Sequence, residues 1–313
     1  MDSEANYISA LKRQHYRFFG KRNHSAAKLC LWLKKSLKNK GFCYKQAFYG
    51  VQSHRCLQMT PSVYCQLRCV FCWRTWEHEP LNYLPKTWDE PRELVEESIL
   101  AQRKLLSGFG GLAEADKKKL KEANNPNQVA ISLDGEPTMY PYLGELIREY
   151  EKRKFTTFLV TNGLLPERLE ALNPLPTQLY ISLYGPDKQT HQKVNIPLTK
   201  DSWEKMNQSL DLFPSLDTRK VLRLTLVKGL NMKEPDKYAE LIKRAEPDFV
   251  EAKGFMFVGG SRQRLTIENM PTHDEIRRFA EEVNSRLGYE IAGEQPVSRV
   301  VVLSSGAKPL RIK

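Results

Sequence analysis

Three cysteines in one short run, Cys65-Gln66-Leu67-Arg68-Cys69-Val70-Phe71-Cys72, stand at the spacing C-x3-C-x2-C. Thiolate sulfur is the natural ligand of iron–sulfur clusters. Three thiolates can hold three corners of a 4Fe–4S cube and leave the fourth iron without a protein ligand. An open coordination position distinguishes a reactive metal site from a structural one, and an open iron can chelate a small molecule. The competing reading is a zinc knuckle, which wants a fourth Cys or His at a set spacing. His78 is the available candidate, and nothing else in the sequence supports it.

The other three cysteines, Cys30, Cys43 and Cys56, stand at C-x12-C-x12-C. Spacing this wide is not a local loop motif, and buried cysteine is often only a small hydrophobe. Their neighbours Lys40, Gly41, Lys45, Gly50 and Arg55 are not core-like, however. Three more thiolates could hold a second cube, again with one open iron, and two cubes would use every cysteine. In a reducing compartment clustered cysteines point to metal rather than to disulfides.

The chain has 313 residues and a formal charge of +12. No apolar run approaches the ~18 residues of a membrane span. The N-terminal segment is basic and aromatic without the apolar centre of a signal peptide, so a cytoplasmic protein is expected. Residues 12–45 carry a dense run of Lys and Arg with no acid, interleaved with His15, Tyr16, Phe18, Phe19, Trp32 and Tyr44. Cations favour phosphates and rings stack on bases, so this segment reads as a nucleic-acid surface. A second cluster, Lys117, Lys118, Lys119 and Lys121, reads more simply as a solvated helix face, with a phosphate-facing surface as the alternative.

These groups need a scaffold. From residue 57 short β-rich runs alternate with longer amphipathic stretches, the pattern of a parallel α/β fold. Strands are predicted at Leu57–Val63, Val129–Leu133, Thr157–Thr161, Gln178–Leu183, Val221–Val227 and Phe249–Val258, with helices near 89–107, 140–153, 166–172, 201–212, 235–245 and 272–288. Asp89 and Thr272 suit helix N-caps. Residues 80–127 read as a helical insertion. Six strand–helix units predict a partial (β/α)6 barrel at 57–290, after a basic cysteine-bearing extension at 1–56 and before a tail at 291–313. Reactive groups should then gather at the C-terminal strand ends.

The remaining motifs fall at those ends. Asp134-Gly135-Glu136-Pro137-Thr138 follows the second strand, Thr161-Asn162-Gly163 the third, and Ile181-Ser182-Leu183-Tyr184-Gly185 runs along the fourth. Each alone is an ordinary turn. In this order, after C-x3-C-x2-C, they resemble the radical S-adenosylmethionine (SAM) enzymes. That resemblance implies SAM on the open iron, Glu136 and Gly135 at its amino group, Asn162 and Ser182 near its ribose and carboxylate, and Phe71 against the adenine.

A narrower resemblance rests on Cys43-Tyr44-Lys45-Gln46-Ala47-Phe48-Tyr49-Gly50, Ser53-His54-Arg55-Cys56, Cys69-Val70-Phe71-Cys72-Trp73-Arg74, Val250 to Arg262 and Asn269-Met270-Pro271-Thr272-His273. From about residue 25 to 290 the chain resembles the 4-demethylwyosine synthase family, in its short archaeal form. The resemblance implies a carbon–carbon lyase-class enzyme with two 4Fe–4S clusters and SAM. Its substrate would be N1-methylguanosine in the anticodon stem-loop of tRNA-Phe. A 5′-deoxyadenosyl radical takes hydrogen from the N-methyl group, and the carbon radical adds to pyruvate held at the second cluster. A lysine can form an imine as the ring closes. Lys253, in an apolar strand run, is the first candidate and Lys45, beside Cys43, the second. The short form implies an external electron donor, and a monomer is expected. The alternatives are another radical-SAM RNA enzyme of methylthiotransferase or methyltransferase type, a glycyl-radical activating enzyme, and a zinc-binding RNA module. The first lacks the extra domains or the extra cysteine it needs, and the second lacks C-x2-C-x2-C runs. Metal analysis separates the third.

Overall fold

The computed structural model describes residues 2–79 and 85–312, leaving aside the side chains of residues 2–4 and 78. Six parallel strands form the centre: β3 (Cys56–Thr60), β4 (Gln128–Ile131), β5 (Thr156–Thr161), β6 (Gln178–Leu183), β7 (Arg219–Leu226) and β8 (Phe249–Gly254). They match the six predicted strands in order and nearly in extent. Two antiparallel pairs extend the sheet to ten strands. On one side lie β2 (Ser25–Ala27) and β1 (Arg17–Phe19), and on the other β10 (Val300–Ser304) and β9 (Glu290–Gln295). The segments read as extension and tail therefore each add an antiparallel pair to the barrel sheet.

Alternation along the strands separates two apolar layers. One set, including Leu57, Met59, Ile131, Leu159, Ile181, Leu222 and Val250, packs beneath the helices. Those helices are α4 (Pro91–Leu106), α6 (Leu143–Lys152), α9 (Ser202–Leu212), α10 (Pro235–Ala245) and α11 (His273–Asn284), with the short α7 (Pro166–Glu170) and α8 (Lys188–Asn195) between them. The other set, Phe158, Tyr180, Val221, Phe249, Val300 and Val302, faces the concave side. There it meets Tyr44, Phe48 and Tyr49 of the short helix α3 (Tyr44–Tyr49). Strands buried on both faces are apolar almost throughout, which is why β6 and β10 are buried along their whole length.

Helices α1 (Asp2–Arg13), α2 (Leu31–Leu37) and α5 (Lys117–Ala123) complete the chain. The C-terminal segment crosses the concave end. Arg219 donates to the carbonyls of Pro309 and Leu310 at 2.7 and 2.9 Å, and the Ile312 N–H donates to the Tyr49 carbonyl at 3.1 Å.

Local signals hold in one place and fail in another. Thr272 caps α11 in a capping box with Glu275, as its sequence predicts. Asp89 does not cap α4: the N-cap is Glu90, without a side-chain bond. Asp89 instead accepts from the Arg22 N–H at 3.0 Å and lies 3.2 Å from His24, tying the N-terminal strands to α4. The predicted insertion contains α4 and α5, and its residues 80–84 lie outside the described set.

Candidate active site

The loop carrying Cys65, Cys69 and Cys72 follows β3 and rests on the end of α8. The Arg68 N–H donates to the Asn195 carbonyl at 2.9 Å, the Val70 N–H to Val194 at 2.9 Å, and the Leu198 N–H to Gln66 at 3.0 Å. The Cys69 thiol lies 3.6 Å from Asn195 Oδ1. Beneath the loop is a buried charge network. Arg74 pairs with Glu79 and, at 3.3 Å, with Asp134; Arg68 pairs with Glu79 at 3.2 Å; Glu79 accepts from the Cys65 N–H at 3.0 Å. Arg74 also donates to the carbonyls of Val63 and Leu67. The loop is thus fixed before any ligand arrives.

Burial pushes the Cys65 thiol up to about 12, against the lowering effect of Arg74, and raises Cys69 and Cys72 as well. Cys69 feels both other thiols, so the three share one environment. Such thiols ionise only if a metal supplies compensating positive charge. Three thiols in one buried environment are a soft, all-sulfur donor set, the chemistry that suits an iron–sulfur cluster.

The predicted SAM-side residues gather around this loop. Gly135 has φ +64°, and a Cβ there would lie 2.1 Å from the Ser62 carbonyl oxygen, so only glycine lets the two turns meet. The Asn162 amide sits 3.7 Å from Cys65 Sγ and 3.4 Å from Gln66 Oε1. Glu136 is committed to its own surroundings. Its Oε1 accepts from Thr138 N–H, Thr138 Oγ1 and Thr161 Oγ1, and its Oε2 from the Asn162 N–H at 2.8 Å. Ser182 is buried on β6. The Phe71 ring packs on Tyr184 at 5.0 Å.

The second triad lies at the opposite, N-terminal ends of the strands. Cys30 is the N-cap of α2, where its sulfur accepts from the Leu33 N–H; Cys43 is the N-cap of α3; Cys56 opens β3. All three line one cavity with Lys45, Val51, Ser53, Gln128 and Phe158. Burial first, then the neighbouring Cys30 thiol, pushes Cys43 up to about 11 and Cys56 up to about 12. The Lys45 amine lies 4.4 Å from the Phe158 ring centre and 4.8 Å from that of Tyr180. Burial and then Arg223 lower its pKa. Lys253 is not among the cavity-lining residues. Its amine donates to the Ser298 carbonyl at 2.8 Å, and burial and Arg223 bring it down to about 8.

Several residues that hold these groups give no signal in the sequence. Glu251 accepts from Tyr44, Tyr49 and Arg223 at 3.1, 2.7 and 2.9 Å, anchoring α3 inside the barrel. Arg264 donates to the carbonyls of Val70, Cys72 and Arg74, pairs with Glu77, and stacks 4.6 Å from the Trp76 ring centre. Gly259 packs on the loop, where a Cβ would lie 2.4 Å from the Trp73 carbonyl oxygen, and Gly260 beside it, where a Cβ would lie 2.4 Å from the Arg74 carbonyl oxygen and 3.1 Å from Arg264. A segment distant in sequence thus clamps the cysteine loop. Only the Gly259-Gly260 pair hints at that close approach.

A model described as the radical SAM superfamily matches residues 59–242, and one described as wyosine base formation matches residues 244–305. Barrel, cysteine loop and family match define a radical SAM enzyme, a class that works with SAM and a 4Fe–4S cluster. The S-adenosyl-L-methionine-dependent tRNA 4-demethylwyosine synthase of Pyrococcus horikoshii is 56% identical over 297 residues, covering 93% of this chain and 86% of that protein. Its counterpart in Methanocaldococcus jannaschii is 40% identical over 311 residues, covering 97% of each. A structure described as TYW1 with a lysine-pyruvate adduct bound superposes with a TM-score of 0.88 at 38% identity, covering 100% of this chain and 98% of that one. The chain belongs to the tRNA 4-demethylwyosine synthase family.

Proposed function

We propose that this chain converts the N1-methylguanosine beside the anticodon of tRNA-Phe into 4-demethylwyosine, joining it to two carbons of pyruvate. One observation carries the reading: Cys30, Cys43, Cys56 and Lys45 line a single cavity inside a radical SAM barrel. A second thiol triad beside an amine has no use in simple SAM cleavage. It suits an α-keto acid, whose carboxylate and carbonyl can meet a metal and a nucleophile together. The lysine–pyruvate adduct described for the similar structure supports this.

In this reading Cys65, Cys69 and Cys72 hold the SAM-binding cluster, and Cys30, Cys43 and Cys56 a second 4Fe–4S cluster that binds pyruvate. When bound, the first cluster and SAM supply the radical chemistry that opens the methyl C–H bond. The protein's own groups do the rest. Asn162 steadies Cys65; Gly135 brings the second-strand turn against the cysteine loop; Ser182 and Phe71 border the SAM pocket. Among the described residues Glu136 Oε2 accepts only from the Asn162 N–H, so it has capacity left for the amino group of SAM. Lys45 is the imine-forming amine. Burial and the Arg223 guanidinium favour its neutral, nucleophilic form. Lys253, held by Ser298, is the second candidate. Residues 1–56 act as the extension that brings the second triad to the barrel of residues 57–290, with 291–313 as a closing tail. The protein works as a cytoplasmic monomer fed by a separate electron donor. Among the described residues no helix is long and apolar enough to cross a membrane.

The test is reductive trapping. The anaerobically reconstituted protein is treated with pyruvate and borohydride and then peptide-mapped. A reduced pyruvate adduct on Lys45, lost in Lys45→Arg and kept in Lys253→Arg, is expected. An adduct on Lys253 alone overturns the lysine assignment. No adduct on any lysine overturns the imine step.

A further inference from the structure

Helix α5 packs against α2. The Asp116 N–H donates to the Leu37 carbonyl at 2.8 Å, and the Lys119 amine donates to Ser36 O at 3.3 Å. The acid-free N-terminal segment and the separate lysine cluster therefore form one face. The acids on this face are all engaged within it. Glu114 pairs with Lys38 and Lys40; Asp116 accepts from the Lys119 N–H and from Asn39; Glu122 meets His54 at 2.6 Å. Among the described residues Lys34, Lys35, Lys117, Lys118 and Lys121 make no ion pair within 4.0 Å, though Lys118 lies close enough to lower the pKa of Glu122. Lys117 donates only to the Gly110 carbonyl.

Two rings border these lysines. Trp32 lies under Lys35, 5.0 Å from its amine, and Phe42 is 43% exposed. The face begins at the candidate active site, because Cys30, which lines the cavity, is the first cap of α2. Trp32 stands two residues after Cys30 and Phe42 one residue before Cys43, so both rings are chain neighbours of cavity-lining cysteines.

We propose that this composite face, with α5 as its outer half, holds the tRNA substrate: Trp32 and Phe42 against unpaired bases near the modified nucleotide, and the α2 and α5 lysines on phosphates of the adjoining stem. The inference rests on the tRNA reading above and goes beyond it, since it assigns α5 to the RNA. The chemistry of the face favours RNA. Lysines without acid partners attract any polyanion, but rings beside those lysines add stacking that unpaired bases can use and an acidic protein cannot. Because the native acids are internally neutralised, the outer lysines keep their full charge for phosphate and counterion exchange.

The test compares wild type, Lys117→Glu/Lys118→Glu/Lys121→Glu and Lys34→Glu/Lys35→Glu in binding N1-methylguanosine-bearing tRNA-Phe over a salt series. The α5 lysines lie away from the proposed clusters, so SAM cleavage without tRNA should match wild type in the α5 variant; Lys34 neighbours Cys30, so the α2 variant is read by tRNA binding alone. Removing one lysine–phosphate pair should flatten the log K against log salt slope by roughly 0.7–0.9. The α5 triple variant should therefore lose roughly 2.1–2.7 units of slope. Lys→Gln at the same positions should fall between. If wild type binds and the α5 variant shows the same affinity and slope, α5 is not an RNA surface, while the functional reading stands. If the α5 variant binds tRNA normally but loses reduction by an acidic flavoprotein, the face belongs to the electron donor and the proposal fails. If wild type binds no tRNA at all, the functional reading fails with it.

Discussion

Removing Arg74 tests whether the cysteine loop is held by buried charge. The residue is 1% exposed. Its guanidinium faces Glu79 and Asp134 and also satisfies the carbonyls of Val63 and Leu67 at 3.2 and 3.1 Å. Arg74→Met would leave Glu79 with Arg68 alone, Asp134 without an ion-pair partner among the described residues, and both carbonyls short of a donor. Breaking a buried pair by deleting one partner costs ~3–5 kcal/mol. Each orphaned carbonyl adds about 1 kcal/mol. Together these come to about 5–7 kcal/mol, and for a chain of this length, at roughly 2 °C per kcal/mol, the thermal midpoint falls by roughly 10–14 °C in all. The assay is thermal unfolding by circular dichroism of the anaerobic, cluster-free protein, which separates loop stability from cluster stability. Adding Asp134→Asn removes the carboxylate left without a cation, while Glu79 stays paired with Arg68, and should recover part of the loss. Arg74→Lys keeps a charge but not the fork and should lie between. A loss under about 1 kcal/mol, or no recovery in the Arg74→Met/Asp134→Asn variant, would refute the reasoning.

Three further outcomes follow from the geometry. His191 is fully buried beside Asn195, and burial holds its pKa down at about 4. Because the folded value lies below the unfolded one, stability is full above about pH 6.5 and is lost as pH falls toward 4, by up to ~3 kcal/mol; in His191→Gln that slope should be absent in pH-dependent urea unfolding. Arg264→Gln removes a positive charge beside Cys72 and should lower the reduction potential of the cluster on that loop, read by EPR redox titration in a Cys30→Ala background; an unchanged potential contradicts the clamp. Reconstituted wild type should hold about eight irons, and Cys30→Ala and Cys65→Ala about four each; a full complement in Cys30→Ala would remove the second cluster.

The parallel core was legible because its strands are apolar runs with turn motifs at their ends, and every predicted strand lies within a few residues of its place. The edges were not. β1 and β2 have three residues each, too few to show alternation, and β9 reads Glu-Ile-Ala-Gly-Glu-Gln, a largely exposed edge that carries no core pattern. The first triad was readable from spacing alone. The second depended on tertiary placement. Cys30, Cys43 and Cys56 meet only because two short helices and a strand all begin at one cavity. The placement of the two lysines about the thiols could not be read from local sequence either. Lys45 lines the cavity with them, and Lys253 acts on Cys43 from outside the lining. Asp89 misled because an acid before a helix usually caps it, and here it is taken by the backbone of the N-terminal turn.

The most direct test of the central claim is nucleoside analysis of the product. The anaerobically reconstituted protein is given N1-methylguanosine-bearing tRNA-Phe, SAM, dithionite and pyruvate labelled separately at each carbon, and the digested tRNA is examined by mass spectrometry. The account predicts that N1-methylguanosine is replaced by 4-demethylwyosine carrying two pyruvate carbons and not the carboxyl carbon. Cleavage of SAM with N1-methylguanosine left intact, or a methylated or methylthiolated nucleoside without pyruvate carbon, would contradict it.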